Sequence, residues 1–228
     1  MKAAVVIRTK NEEAWIARVL DALTRQMDVD ADIVVVDNDS TDATVEIAGR
    51  YRCRVIGIPD HEYTHGRALN LGIRATTADL VAILSGHCVP ANGRWLLRLA
   101  ANFTVPAIAG VYGRQEPFPD STAFDKRDLW TTFGRDRRIQ RRDHFFHNAN
   151  SMIRRSVWTE VPFNEALPGV EDRDWARRAQ ELGWQIAYEP QASVYHFHGI
   201  HQGRDEDRAA RVARIIELIQ NGATGAGS

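Results

Sequence analysis

Two carboxylates stand side by side at Glu171-Asp172, after Pro168-Gly169-Val170 and at the head of a run with Trp175, Ala179 and Leu182 on one helical face. Gly183 closes that run as a helix C-terminus. Paired carboxylates at a helix start do one of two things. They complement the helix dipole, or one of them is a general base. Taken alone, the pair is accounted for by the dipole. A second group is VYHFHGIH at 194–201, where His196 and His198 are two apart and therefore on one face of a strand. A third histidine, His87, follows the apolar run of LVAILSGHCVP (80–90). Each is a structural histidine or a metal ligand, and imidazole ligates transition metals far better than Mg²⁺. Finally, RDRRIQRRD (135–143) packs five arginines into nine residues. Such a run is a solvated face, a lid over a polyanion, or a dock for an acidic acceptor or membrane surface.

These groups need a frame. Apolar runs at 3–7, 33–36, 54–56 and 80–84 read as buried strands. Helical patterns intervene at 12–26, 41–51 and 66–76, the second with Asp39-Ser40-Thr41 as N-cap chemistry. Strands and helices alternating at this spacing make βαβ units, hence an α/β fold with a mostly parallel central sheet flanked by helices. Ligands of such sheets sit beyond the carboxyl ends of the strands. That rule brings Arg8-Thr9-Lys10-Asn11, Asp37-Asn38-Asp39-Ser40 and Ser85-Gly86-His87 to one crevice. Later elements are a helix at 93–104, strands at 108–112, 150–153, 185–188 and 193–197, and an amphipathic helix at 203–220. Residues 115–147 read as a long, partly mobile insertion. The division expected is one domain over 1–202, a C-terminal helix over 203–221 packed on it, and a disordered tail over 222–228.

Composition excludes several classes. With 44% hydrophobic and 26% charged residues and a net charge of −1, no global field pulls the 228-residue chain to nucleic acid. Two cysteines, Cys53 and Cys88, make neither a disulfide framework nor a metal spacing, which points to a reduced, cytoplasmic setting. No run of about 18 apolar residues is present, so no membrane span is expected, although peripheral association at the inner membrane face is compatible. The turn after the first strand, RTKNEE, has no glycine, against a dinucleotide-binding oxidoreductase.

IRTKNEE (7–13), VVVDNDSTDAT (34–44), HGRALNLG (65–72) and the Glu171-Asp172 pair of VEDRDWARR, in this order, resemble the inverting nucleotide-sugar glycosyltransferases of family two, which have the GT-A fold. The resemblance runs from residue 3 to about residue 198. It implies a Rossmann-like domain that moves a sugar from a nucleotide-diphosphate sugar to an acceptor hydroxyl in one in-line displacement. It implies Asp172 as the base, with Glu171 beside it. It assigns donor binding to Arg8, Thr9, Asn11, Glu12 or Glu13, Asp37, Asn38, Arg67, Ser85 and Gly86. Asn38 stands where the family often has aspartate, and an amide both donates and accepts. Asp37 also has a bland reading as a turn residue, and Arg67 as an exposed helix cation.

The family's last metal-binding aspartate after the fourth strand is His87 here. The resemblance therefore implies a metal site of His87 with His196 or His198, and Mn²⁺ over Mg²⁺. Metal-free transfer, with His87, Arg67 and an arginine of 135–143 stabilising the leaving group, is the competing expectation. So is a non-catalytic nucleotide-sugar binder. By the same resemblance, FFHNANSMIRRSVW lies near acceptor and donor sugar, with Asn148 and Asn150 as acceptor contacts. The acceptor classes implied are a polysaccharide, a lipid-linked saccharide or a small glycoside, consistent with polysaccharide biosynthesis.

Overall fold

The computed structural model describes residues 2–198 and residue 214. Among these, nine strands form one mixed sheet: β1 (Lys2–Thr9), β2 (Asp30–Asp37), β3 (Arg54–Gly57), β4 (Leu80–Ser85), β5 (Cys88–Pro90), β6 (Ile108–Pro117), β7 (Arg138–Gln140), β8 (Asn150–Arg154) and β9 (Gln185–His196). Their order is β3-β2-β1-β4-β8-β6-β9-β5, with β7 paired to β9. The first four strands are parallel, as the βαβ pattern predicts. From β4 onward the pairings become antiparallel, except for β6 with β9.

Alternation along β1 builds the two faces of the core. Val5 and Ile7 pack with Ile16, Val19, Leu20 and Leu23 of α1 (Ile16–Thr24) and with Trp95, Leu96 and Leu99 of α4 (Trp95–Ala101). Ala4 and Val6 face the other way, onto Ala68, Leu69 and Ile73 of α3 (His65–Arg74). The same face holds Val157 and Trp158 of α6 (Arg155–Glu160) and Trp175, Ala176 and Ala179 of α7 (Glu171–Glu181). Each fully buried Leu or Ile contributes about 1.5–3 kcal/mol of transfer free energy. Helix α3 sits close on the sheet because Gly72 has no side chain there; a Cβ would lie 2.4 Å from Val6 Cγ1.

Several expectations change. The region 115–147 is not a mobile insertion: β6 extends through Pro117, α5 spans Ala123–Thr132, and β7 adds an edge strand. Short α2 (Thr44–Ala48) is not capped by Asp39, Ser40 or Thr41. Its first turn is held by Asp42, whose Oδ1 accepts from Thr44 N–H at 2.9 Å, and by Glu13, whose Oε2 accepts from Ala43 N–H at 3.0 Å. The two late strands are one, β9, interrupted by a register shift against β6 between Gly113 and Gln115. The helix at 203–221 and the tail at 222–228 lie outside the described residues. Among the described residues no helix is long and apolar enough to cross a membrane.

Candidate functional site

The carboxyl ends of β1, β2 and β4 meet, as the parallel register requires: Thr9 lies beside Asp37, and Arg8 beside Ser85. Arg8 points from β1 to the start of α7, where its Nη1 is 3.4 Å from Glu171 Oε1, and both side chains are largely buried. Burial favours a protonated Glu171, but Arg8, His65 and the Asn148 amide outweigh it and hold the carboxyl below its usual range. His65 Nδ1 is 3.9 Å from Glu171 Oε2, and Asn148 Nδ2 donates to Oε1 at 3.2 Å. Asp172 is the opposite case. Burial, then the charge of Glu171, push its carboxyl up to about 7, against weaker opposing bonds from the Arg173 and Asn148 N–H groups. Two neighbouring carboxyls are thus driven apart, one firmly ionised and one poised near neutrality. Helix α7 begins on a strained residue: Val170 has φ 54°, a left-handed conformation that a β-branched side chain rarely adopts.

The histidine cluster lies at the carboxyl end of β4. His87, His196 and His198 each offer a ring nitrogen, and those atoms all lie within 4.8 Å of one another. His87 Nε2 and His196 Nε2 are 3.1 Å apart in nearly parallel rings. Such a pair shares one proton or turns two lone pairs onto one cation. His87 Nδ1 meets Glu12 Oε1 at 2.5 Å, which fixes the tautomer leaving Nε2 as the donor atom to a metal. The donor set, three imidazoles with one carboxylate behind them, fits a transition-metal dication and suits Mg²⁺ poorly. His196 ends β9, paired with Cys88 of β5 and Pro117 of β6. On the opposite face of this strand end, Tyr195 stacks on Phe118, and Phe197 packs on Trp15 at 4.7 Å. This aromatic clasp was not read from the sequence; its signal was the alternation Tyr195-His196-Phe197-His198.

The loops between these clusters carry the expected donor-binding residues in mixed roles. Asp37 accepts from Ser40 N–H and Oγ–H at 2.9 and 2.6 Å, so it closes its own turn. Asn11 accepts from Thr41 N–H at 2.8 Å and ties the β1 loop to the β2 loop. Glu12 faces His87. Arg67 is half-exposed and paired with Glu62. Gly86 lets β4 pass close to β1, since a Cβ there would lie 2.8 Å from Thr9 Oγ1. Three buried polar atoms in these loops have no hydrogen-bond partner among the described residues: Arg8 Nε, Thr9 Oγ1 and Asn38 Oδ1. Buried polar atoms left unpaired at strand ends are what a ligand would satisfy.

Two further expectations are corrected. Asn150 is fully buried, with its amide taken up by Trp95 Nε1–H, Arg114 O and Ala192 O, so it pins strands together and is closed to an acceptor. Asn148 is also fully buried and contacts the carboxylate pair, not solvent. Of the five arginines in 135–143, Arg137 is held by Asn102 and Glu189, and Arg138 lies over Tyr188. Among the described residues, none of their contacts reaches the histidine cluster. Tyr63, which bonds Arg8, and His65 join the site without having been singled out in the sequence.

Residues 4–161 match the model of glycosyl transferase family 2. The chain is 27% identical over 210 residues to the O-antigen chain rhamnosyltransferase RfbN of Salmonella typhimurium, covering 87% of this chain and 67% of that protein. It is 29% identical over 194 residues to the glycosyltransferase AglE of Haloferax volcanii, covering 81% of this chain and 63% of the relative. The chain therefore spans about two thirds of these relatives' lengths. Among solved structures, it resembles the mannosyltransferase PcManGT of Pyrobaculum calidifontis in complex with GDP-Man and Mn²⁺, with TM-score 0.75, 19% identity and coverage of 99% of this chain and 65% of that one. Glucosyl-3-phosphoglycerate synthase of Mycobacterium tuberculosis, in complex with Mn²⁺, UDP-glucose and glycerol 3-phosphate, matches with TM-score 0.67 and 20% identity over 96% of this chain and 78% of that one. These likenesses show the GT-A fold, and on the family match the chain belongs to glycosyl transferase family 2.

Proposed function

We propose that the chain transfers a sugar from a nucleotide-diphosphate sugar to a saccharide hydroxyl with inversion at the anomeric carbon. The observation that carries this reading is the split carboxylate pair. Glu171 is locked as an anion by Arg8, and Asp172, beside it, has a proton affinity matched to neutral pH. In the reaction, the Asp172 carboxylate takes the proton of the acceptor hydroxyl. The acceptor oxygen forms its bond to the anomeric carbon on one face while the bond to the diphosphate oxygen breaks on the other. Arg8 keeps Glu171 charged, and Glu171 in turn keeps Asp172 basic. Thr9, Asn38 and Arg8, with their unpaired atoms, supply hydrogen bonds to the donor. A divalent cation held by His87, His196 and His198 would neutralise charge on the departing diphosphate.

The acceptor class is supported by the relatives alone: an O-antigen chain rhamnosyltransferase is among them, which favours a growing polysaccharide or its lipid-linked precursor. The test is twofold. Asp172→Asn should lower transfer by about 10²- to 10⁴-fold and leave donor binding within a few-fold. The product, followed by NMR, should carry the anomeric configuration opposite to that of the donor. Retained configuration, or near-parental activity of Asp172→Asn, would remove Asp172 as the base.

A further inference from the structure

Helix α5 buries little. Leu129 is its one fully covered side chain, while Phe124 and Trp130 are 46% and 55% exposed. On a helical wheel Phe124, Arg127 and Thr131 lie opposite Leu129, Ala123, Trp130 and Asp128 flank that arc, and Lys126 stands nearer Leu129. Ala123, Lys126, Arg127, Trp130 and Thr131 line a shallow recess of about 350 Å³. The Arg127 guanidinium lies 5.6 Å above the Phe124 ring. The helix is joined to the arginine run at its C-terminal end: Gly134 O accepts from Tyr188 Oη–H at 2.6 Å, and Arg138 of β7 covers the Tyr188 ring. Beyond it, Ile139 is 38% exposed on the edge strand. Arg135, Arg141 and Arg142 are exposed and make no ion pair among the described residues. Of the nearby acids, Asp125 is bonded to the N-cap Thr122, Asp128 is half-buried on α5, and Asp143 accepts from the Phe145 N–H. Asp136 and Asp143 are the exposed carboxylates of the run.

We propose that the outer face of α5 and the adjoining arginine turn dock on the surface of a bilayer that contains anionic lipid. The chemistry of the face selects this occupant. Half-exposed Trp and Phe interleaved with arginines do not form the continuous apolar stripe that a partner helix needs. They match the headgroup layer, where amphipathic rings and guanidinium groups are both solvated. Each basic residue near an anionic surface raises partitioning about fivefold. With the whole chain at −1, this attraction is local to the patch and salt-sensitive. The face is separate from the carboxylate and histidine clusters, so the inference does not depend on the reading of Asp172.

Co-sedimentation of the full chain with vesicles tests it, using phosphatidylcholine alone and phosphatidylcholine mixed with phosphatidylglycerol. Binding to the mixed vesicles, weakened by added salt, is expected. Phe124→Ser with Trp130→Ser should reduce it tenfold or more, and so should Arg135→Glu with Arg141→Glu and Arg142→Glu. Both variants should keep the parental melting temperature and affinity for a nucleoside diphosphate, which separates loss of docking from loss of fold. Three results would each overturn the proposal: equal binding to neutral vesicles, unchanged binding of both variants, or a concentration-dependent dimer abolished by the same substitutions.

Discussion

At the scale of single residues, the proposed chemistry turns on how Glu171 and Asp172 divide one charge environment. A general base works deprotonated, so the rate should rise with pH through the pKa of Asp172, at about 7. Glu171→Gln removes the second-largest cause of that elevation. The pKa must fall, and the acid limb of kcat/KM should move to lower pH, with the neutral limb kept if Glu171 only positions and tunes. A limb that stays in place would contradict the coupling. The same shift has a stability consequence. The native state holds a proton on Asp172 that the unfolded chain releases near its ordinary carboxyl value of 3.8. Stability is therefore lost as pH rises from about 4 to 7. Asp172→Asn should be more stable than the parent, by a margin that grows across that window. A variant less stable at neutral pH would make Asp172 a structural residue. The pair itself was legible in the sequence as adjacent carboxylates at a helix start. Its partner was not: Arg8 is 163 positions away and reaches Glu171 only because β1 and the head of α7 converge.

At the scale of elements, the histidine cluster depends on how the end of β9 is held. His196 and His198 turn toward His87, while Tyr195 and Phe197 are gripped from behind by Phe118 and Trp15. Phe197→Ala should therefore weaken Co²⁺ or Mn²⁺ binding several-fold, measured by calorimetry, although it removes no ligand. Unchanged affinity would mean that the strand end holds itself. The element pattern was readable where burial imposed a period, as in β1, β2, β4 and α7. It failed where burial was weak or the strand irregular. Helix α5 escaped notice because its large apolar residues, Phe124 and Trp130, face outward. β9 read as two strands because Pro190 breaks its pattern; the register shift against β6 after Gly113 absorbs that proline. The Asp-rich turn at 37–42 was assigned to the wrong cap because Asp42, not Asp39, faces the α2 amides.

At the scale of the whole molecule, one sheet edge gathers groups from distant stretches of the chain. The order of strands puts β1 between β2 and β4, so Thr9, Asp37 and Ser85 end level with each other. The switch to antiparallel pairing at β8 then returns Asn148 and the head of α7 to the same edge. The meeting of β1, β2 and β4 followed from the βαβ rule, whereas the pairing of β9 with β5 and β6 is what brings His196 to His87. The histidine clamp is also the most direct point of attack on the account as a whole. Calorimetric titration of UDP and of GDP, each with Mn²⁺ and with EDTA, should show tight binding of one nucleotide that requires Mn²⁺ and is lost in His87→Ala. Binding indifferent to EDTA and to that substitution would contradict a histidine-held metal and leave the diphosphate to the cationic side chains alone.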